Sequence, residues 1–196
     1  MTGILQVNWI RHLPVASTGR YIGHTDIPAV IPSISANLAA PLPENALWFS
    51  SPLIRAVDSA HWLMQSVREN TAPLQISPEL MEQNFGIWEN KTYEEVWALA
   101  DRSKNWESPA IIKPEGGESF IGLCARVDHW IENMMKVDIN KPWIIVAHAG
   151  TIRAALRHAL NIIPEQALSF AVDYGSVTQV EYFLEAGGAR INYVNR

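Results

Sequence analysis

The chain has 196 residues, of which 48% are hydrophobic and 18% charged, with a formal net charge of −5. This length fits one domain over 1–196 with a core that needs no disulfide or metal, and the acidic balance without a basic run argues against nucleic acid as the main partner. The lone cysteine, Cys124, excludes an intrachain disulfide and cysteine-rich metal sites, while apolar runs too short to span a membrane and the lack of a leader pattern give a cytoplasmic protein as the expectation.

Residues 4–11 form an apolar, β-tolerant run that ends on Arg11-His12, so a buried strand is expected there. Residues 13–43 carry seven prolines and glycines between Pro14 and Pro43. They read as an ordered, functional loop with a short helix at 33–40, anchored by Tyr21, Ile22, Ile27 and Val30. A second strand at 46–50 runs into Ser51-Pro52, which the spacing predicts as N-cap and first helical position. The helix that follows places Ala56, Ala60, Leu63, Met64 and Val67 on one face. Its amino terminus, at a strand end, suits an anion.

Further strands are expected at 74–77 and 143–147, and irregular segments at 78–89 and 101–117. A helix is expected at 92–100. Phe120, Leu123, Cys124, Val127, Ile131, Met134 and Met135 form an apolar stripe at helical spacing. Strand 143–147 ends in His148-Ala149-Gly150 and enters another helix. Residues 177–183 and 190–194 flank Gly187-Gly188 as a hairpin.

This alternation implies an α/β three-layer sandwich, with a mainly parallel central sheet and helices on both faces. Ligands of such folds sit beyond the carboxyl ends of the strands. Three of those ends carry chemistry here: Arg11-His12, Ser51 with Arg55 one turn on, and His148. Arginine forks grip phosphate oxygens, and a neutral imidazole is a competent nucleophile. Arg11, Arg55 and a protonated His148 would clamp a phosphoryl group under attack by His12. Glu82 or Glu118 would protonate the leaving oxygen and then activate water. The remaining histidines, His24, His61, His129 and His158, are scattered without metal-ligand spacing. His158, Arg153 and Arg157 read as one solvated helix face, and Cys124 as packing.

The chain resembles the histidine phosphatase, or phosphoglycerate mutase-like, superfamily in four segments. Arg11-His12 is similar to its Arg-His-Gly signature, and Ser51-Pro52-Leu53-Ile54-Arg55-Ala56 to its Ser-Pro-Leu-x-Arg-Ala segment. Leu80 to Glu89 resembles Leu-x-Glu-x-x-Phe-Gly-x-Trp-Glu, and Val146 to Gly150 with Arg153 resembles the second-histidine motif. A further, weaker likeness lies in 114–119. The resemblance implies His12 as phosphorylated nucleophile, Arg11, Arg55 and His148 as phosphoryl ligands, and Glu82 as the preferred proton donor. Thr18, Tyr21, Gly23, Glu118 and Ala149 would contact the substrate, a small-molecule phosphate ester. No metal and no cofactor are implied.

Leu13 and Val15 stand where the family has glycine and a hydroxyl residue, and the family's asparagine falls at Thr18. A leucine at that place puts bulk near the pocket and resists unusual backbone angles. Residues 19–28 look most like the short bacterial branch that includes α-ribazole phosphatase. A phosphoglycerate mutase and a non-catalytic phosphate-binding scaffold are the alternatives. The sequence leaves a homodimer open.

Overall fold

The sheet is built from β1 (Ile4–Arg11), β2 (Leu47–Ser50), β3 (Leu74–Ile76), β4 (Trp143–Ala147), β5 (Val177–Phe183) and β6 (Ala189–Tyr193). The computed structural model describes residues 3–33, 41–67, 72–99, 108–136 and 139–196. Strand order is β3-β2-β4-β1-β5-β6. The β1–β4, β2–β4 and β2–β3 pairings are parallel, whereas β5 and β6 add an antiparallel edge.

Side-chain alternation along β4 explains the layers, because successive residues of a strand face opposite sides. Trp143, Ile145 and Ala147 join a core with α3 (Phe120–Met134) and α4 (Ala149–Leu160). Ile144 and Val146 join a core with Ala56, Ala60 and Leu63 of α1 (Ile54–Met64). Helices therefore cover both faces, as the α/β reading requires. The expected stripe on α3 is buried from Phe120 to Ile131, with Trp130 added to it. The helix expected at 33–40 lies outside the described residues.

Two local expectations change. Helix α1 begins at Ile54, with Leu53 at the N-cap position and no side-chain cap of its own. Asp26, from the long loop, fills that role: its Oδ1 accepts from Ile54 N at 2.7 Å. The first turn of α1 is thus closed by a carboxylate. The helix expected at 92–100 is described as α2 (Tyr93–Leu99), with Thr92 Oγ1 accepting from Glu95 N. On α4, Arg157 and His158 do not form a solvated face. Both pair with Asp128 of α3 and stitch the two helices together.

Register sets the site. Ile10 and Ser50 both lie opposite Val146, and Arg11 opposite Ala147. His12 N donates to Ala147 O at 2.9 Å and Ser51 N to Val146 O at 3.1 Å. The three chemistry-bearing strand ends are therefore level with one another, although they are far apart in sequence.

Candidate active site

His12 sits at the end of β1, buried, and lines a cavity of about 470 Å³. Its Nδ1 donates to Leu13 O at 2.7 Å. A carbonyl only accepts, so Nδ1 carries the proton and Nε2 keeps its lone pair. Burial, followed by the Arg55 charge, pushes the His12 pKa down to about 3, against a weaker upward pull from Leu13 O. The ring is neutral near pH 7 and stays nucleophilic.

His148 caps the amino terminus of α4 and is fully buried behind His12, with ring centroids 5.1 Å apart. Its Nδ1 accepts from Arg55 Nε at 3.3 Å and its Nε2 donates to Ser51 Oγ at 2.8 Å. Arginine can only donate, which fixes the Nε2–H tautomer. Burial first, then Arg55, lowers its pKa well below the ordinary value. His148 is therefore neutral near pH 7, not protonated as expected, and both ring nitrogens face protein partners. Ser51 is not a helix cap. Its hydroxyl accepts from His148 and from Leu53 N.

Arg55 is fully buried, and among the described residues no carboxylate forms an ion pair with it. Its NH1 donates to Thr25 O at 2.9 Å, and its NH2 to Gly23 O at 2.6 Å and Ile22 O at 3.4 Å. With Nε on His148, four of five donors are engaged, and an NH1 hydrogen remains for the cavity. Arg11 donates through NH1 to Val172 O at 2.7 Å and lies 3.6 Å over the Tyr174 ring. Its buried Nε has no hydrogen-bond partner. An arginine with unmet donors, beside a free imidazole nitrogen, is a site for oxyanions.

Glu82 is the one carboxylate among the described lining residues. Its Oε1 accepts from Gln83 N at 2.9 Å and its Oε2 from Gly150 N at 3.1 Å. Behind it, Arg126 of α3 clamps the carbonyls of Glu79 and Met81 and pairs with Glu118 at 2.6 Å.

The structure brings His12, Arg11, Arg55, Glu82, Tyr21 and Ala149 to one cavity. Thr18 is exposed and is not among the lining residues, although its neighbours Ser17 and Gly19 are. Gly23 lies behind the wall, where a Cβ would overlap Gln83 O. Glu118 is turned toward Arg126 and Asn84 N. Leu13 is buried, does not line the cavity, and is not among the non-glycine residues with positive φ. Its bulk therefore packs inward without backbone strain.

Tyr174 and Arg153 are among the lining residues that the sequence reading did not assign to the site. Tyr174 comes from the segment after α5 (Pro164–Ala167) and carries no local signal. Arg153, assigned to a solvated face, lines the cavity instead. Its place four residues after Ala149 on α4 was the available clue. Among the described residues, no group of three or more His, Cys, Asp or Glu side chains is placed to hold a metal ion. No described helix is long and apolar enough to cross a membrane.

Residues 33–195 match the histidine phosphatase superfamily (branch 1). The chain belongs to that superfamily. The match begins beyond Arg11-His12, the segment in which Leu13 departs from the family's glycine. A Mycobacterium tuberculosis bifunctional protein is 28% identical over 151 residues, covering 75% of this chain and 40% of that protein. The chain thus spans well under half of that relative. An Escherichia coli adenosylcobalamin/alpha-ribazole phosphatase is 25% identical over 172 residues, covering 83% of this chain and 82% of that protein. The solved mycobacterial glucosyl-3-phosphoglycerate phosphatase superposes with a TM-score of 0.78 at 20% identity, covering 98% of this chain and 99% of that one. The last likeness concerns the fold.

Proposed function

We propose that this histidine phosphatase superfamily member hydrolyses a small phosphate monoester through a phosphohistidine at His12. One observation carries the reading: the Nδ1–H to Leu13 O bond leaves a neutral Nε2 in a cavity that also holds Arg11, Arg55 and Glu82. In this reading Nε2 attacks phosphorus and the bond to the leaving oxygen breaks. Protonated Glu82 gives its proton to that oxygen and releases an alcohol. Leu13 O then faces the Nδ1–H of a cationic phosphohistidine, which it stabilises. Water, deprotonated by Glu82, attacks phosphorus, the P–N bond breaks, and phosphate leaves with His12 restored.

Arg11 and Arg55 hold the equatorial oxygens, so the scheme draws its charge stabilisation from guanidinium groups. His148 fixes Arg55 and supports the His12 ring. A phosphoryl dianion at His12 favours the protonated form of His148, since an opposite charge nearby raises an imidazole pKa.

The test is a metal-chelated screen of phosphate monoesters, with α-ribazole 5'-phosphate included because of the E. coli relative. Turnover lost in His12→Ala, with an acid-labile phosphoenzyme in the wild-type chain, is the expected result. Turnover that survives His12→Ala refutes the nucleophile. Transfer between phosphoglycerate isomers without phosphate release selects the mutase alternative, and binding without turnover selects the scaffold.

A further inference from the structure

The stretch that carries Glu82 is held by side chains and not by a strand ladder. Residues 81–85 follow a short 3-10 turn at Pro78–Leu80 and belong to no helix or strand. A carbonyl shielded from water needs a donor wherever it lies. Four consecutive carbonyls here, those of Glu79, Leu80, Met81 and Glu82, are met by side chains from three other parts of the chain.

Arg126 of α3 reaches three of the four. Its NH1 donates to Glu79 O at 2.6 Å and to Met81 O at 3.0 Å, and its NH2 to Glu82 O at 3.4 Å. The other NH2 hydrogen goes to Glu118 Oε1 at 2.6 Å, so all four terminal hydrogens of the fork are used. Thr151 of α4 shares its hydroxyl between Leu80 O at 3.3 Å and Met81 O at 3.1 Å. His24 Nε2 donates to Glu82 O at 3.1 Å.

Glu118 grips the chain on the other side of Glu82. Its Oε1 accepts from Asn84 N at 3.1 Å, its N–H donates to Asn84 O at 2.9 Å, and its carbonyl accepts from Gln83 Nε2 at 2.9 Å. Arg126 thus fixes the backbone up to residue 82, and Glu118 fixes it directly after. Both are anchored to one rigid element. Glu118 precedes Ser119, the N-cap of α3, and α3 is packed into the core through Leu123, Val127 and Ile131.

The carboxyl of Glu82 depends on this grip. Gln83 N, which donates to Oε1, belongs to the held stretch, whereas Gly150 N, which donates to Oε2, belongs to α4. Both N–H groups reach the carboxyl only while the stretch is kept against α4. Neither Arg126 nor Glu118 lines the cavity. We infer that the Arg126–Glu118 pair is a positioning unit for Glu82, setting the reach of its carboxyl to the leaving oxygen without touching the substrate. The inference rests on the reading of Glu82 as proton donor in phosphate-ester hydrolysis.

The test compares leaving groups within one protein. p-Nitrophenolate departs near neutral pH without a proton, whereas the alkoxides of glycerol 3-phosphate, ribose 5-phosphate and α-ribazole 5'-phosphate need one. kcat/KM covers the steps up to release of that group, so it reads proton donation and not the later attack of water. Arg126→Gln should lower kcat/KM for the alkyl esters roughly 10- to 100-fold, and at least about tenfold more than for p-nitrophenyl phosphate. The ratio of the two values does not depend on how much of a variant is folded. Arg126→Lys, which keeps the charge but not the fork, should shift the ratio less.

Glu82→Gln should move the ratio in the same direction. Adding Arg126→Gln to it should move the ratio no further, because both changes act on one proton transfer. Equal losses on aryl and alkyl esters, or shifts that multiply in the double variant, overturn the positioning role and leave hydrolysis standing. Wild-type turnover of p-nitrophenyl phosphate but of no alkyl ester also overturns it, since no proton then reaches the leaving oxygen. Absence of turnover on every ester refutes hydrolysis itself, and the role of the pair with it.

Discussion

Glu89 and Arg55 grip the same short loop from opposite sides. The Glu89 carboxylate accepts from the backbone N–H groups of Gly23, His24, Thr25 and Phe85 and from Thr25 Oγ1. The carbonyls of Ile22, Gly23 and Thr25 in turn receive the Arg55 guanidinium. Burial opposes ionisation of Glu89, yet these hydrogen bonds outweigh it and hold its pKa below the ordinary carboxylate value. Glu89 therefore positions Arg55 without touching the cavity. Glutamine offers one acceptor oxygen and turns an amide donor toward N–H groups. Glu89→Gln should weaken inorganic phosphate binding and reduce kcat/KM by about tenfold or more. Phosphate affinity is the discriminating measurement. A variant that unfolds more readily yet binds phosphate as the parent does would make Glu89 a structural residue only.

Gly150 tests the placement of Glu82. A Cβ there would overlap Glu82 Oε1 and come 3.0 Å from Leu123 Cδ2. Gly150 lies in α4 and is not among the glycines with positive φ, so alanine suits its backbone. Alanine should even favour the helix by about 1 kcal/mol. The atom overlapped is the end of a flexible side chain, which can swing away. Gly150→Ala should therefore fold well but displace the carboxylate, lowering kcat/KM by roughly 10- to 100-fold, the effect of about 1 Å of misplacement. Thermal unfolding measured beside steady-state kinetics checks both halves. A large loss of stability with normal kinetics would contradict this account.

The strand ends were legible because periodicity marks buried strands and helices, and an α/β fold places their carboxyl ends together. Arg11, Arg55 and Glu82 needed no more than this and the motif likeness to be found. The start of α1 was not legible, because its cap comes from Asp26, 28 residues upstream, and not from the adjacent Ser51. Ser51 has a good cap's chemistry but is claimed by His148. By residue type alone Glu118 and Glu82 are both loop acids, and only the motif likeness favours Glu82 in the sequence. In the structure Arg126, reaching from α3, pairs with Glu118. Tyr174 meets His12 through tertiary packing alone, with ring centroids 5.4 Å apart. Leu13 looked intrusive from its size, whereas its backbone angles and inward packing make it ordinary.

The buried histidines make stability depend on pH in a stated direction. His12 has a folded pKa near 3 against an ordinary 6.5, mainly through burial. Between those values the unfolded chain binds a proton that the folded chain refuses. Its contribution is fully present above about pH 6.5 and is lost as pH falls toward 3. His148 acts in the same sense. Each histidine should add a slope of about 1.4 kcal/mol per pH unit within the window. Urea unfolding at pH 7, 6, 5 and 4 should show the decline. In His12→Gln the slope should fall by about one proton's worth, and an unchanged slope would mean that His12 is protonated in the folded state.

Tyr174 holds the Arg11 guanidinium by its ring face, 3.6 Å from the centroid, while Val172 O holds NH1. The guanidinium is thus fixed from two sides, with its Nε left over in the buried site. A cation over an aromatic face contributes about 0.5–2 kcal/mol, more where water is excluded. Tyr174→Phe keeps the face and should retain most of kcat/KM. Tyr174→Ala removes it and frees Arg11, so phosphate affinity and kcat/KM should drop roughly 3- to 30-fold, with the larger change in KM. If the phenylalanine variant loses as much as the alanine variant, the hydroxyl and not the ring face is what Arg11 and the substrate depend on.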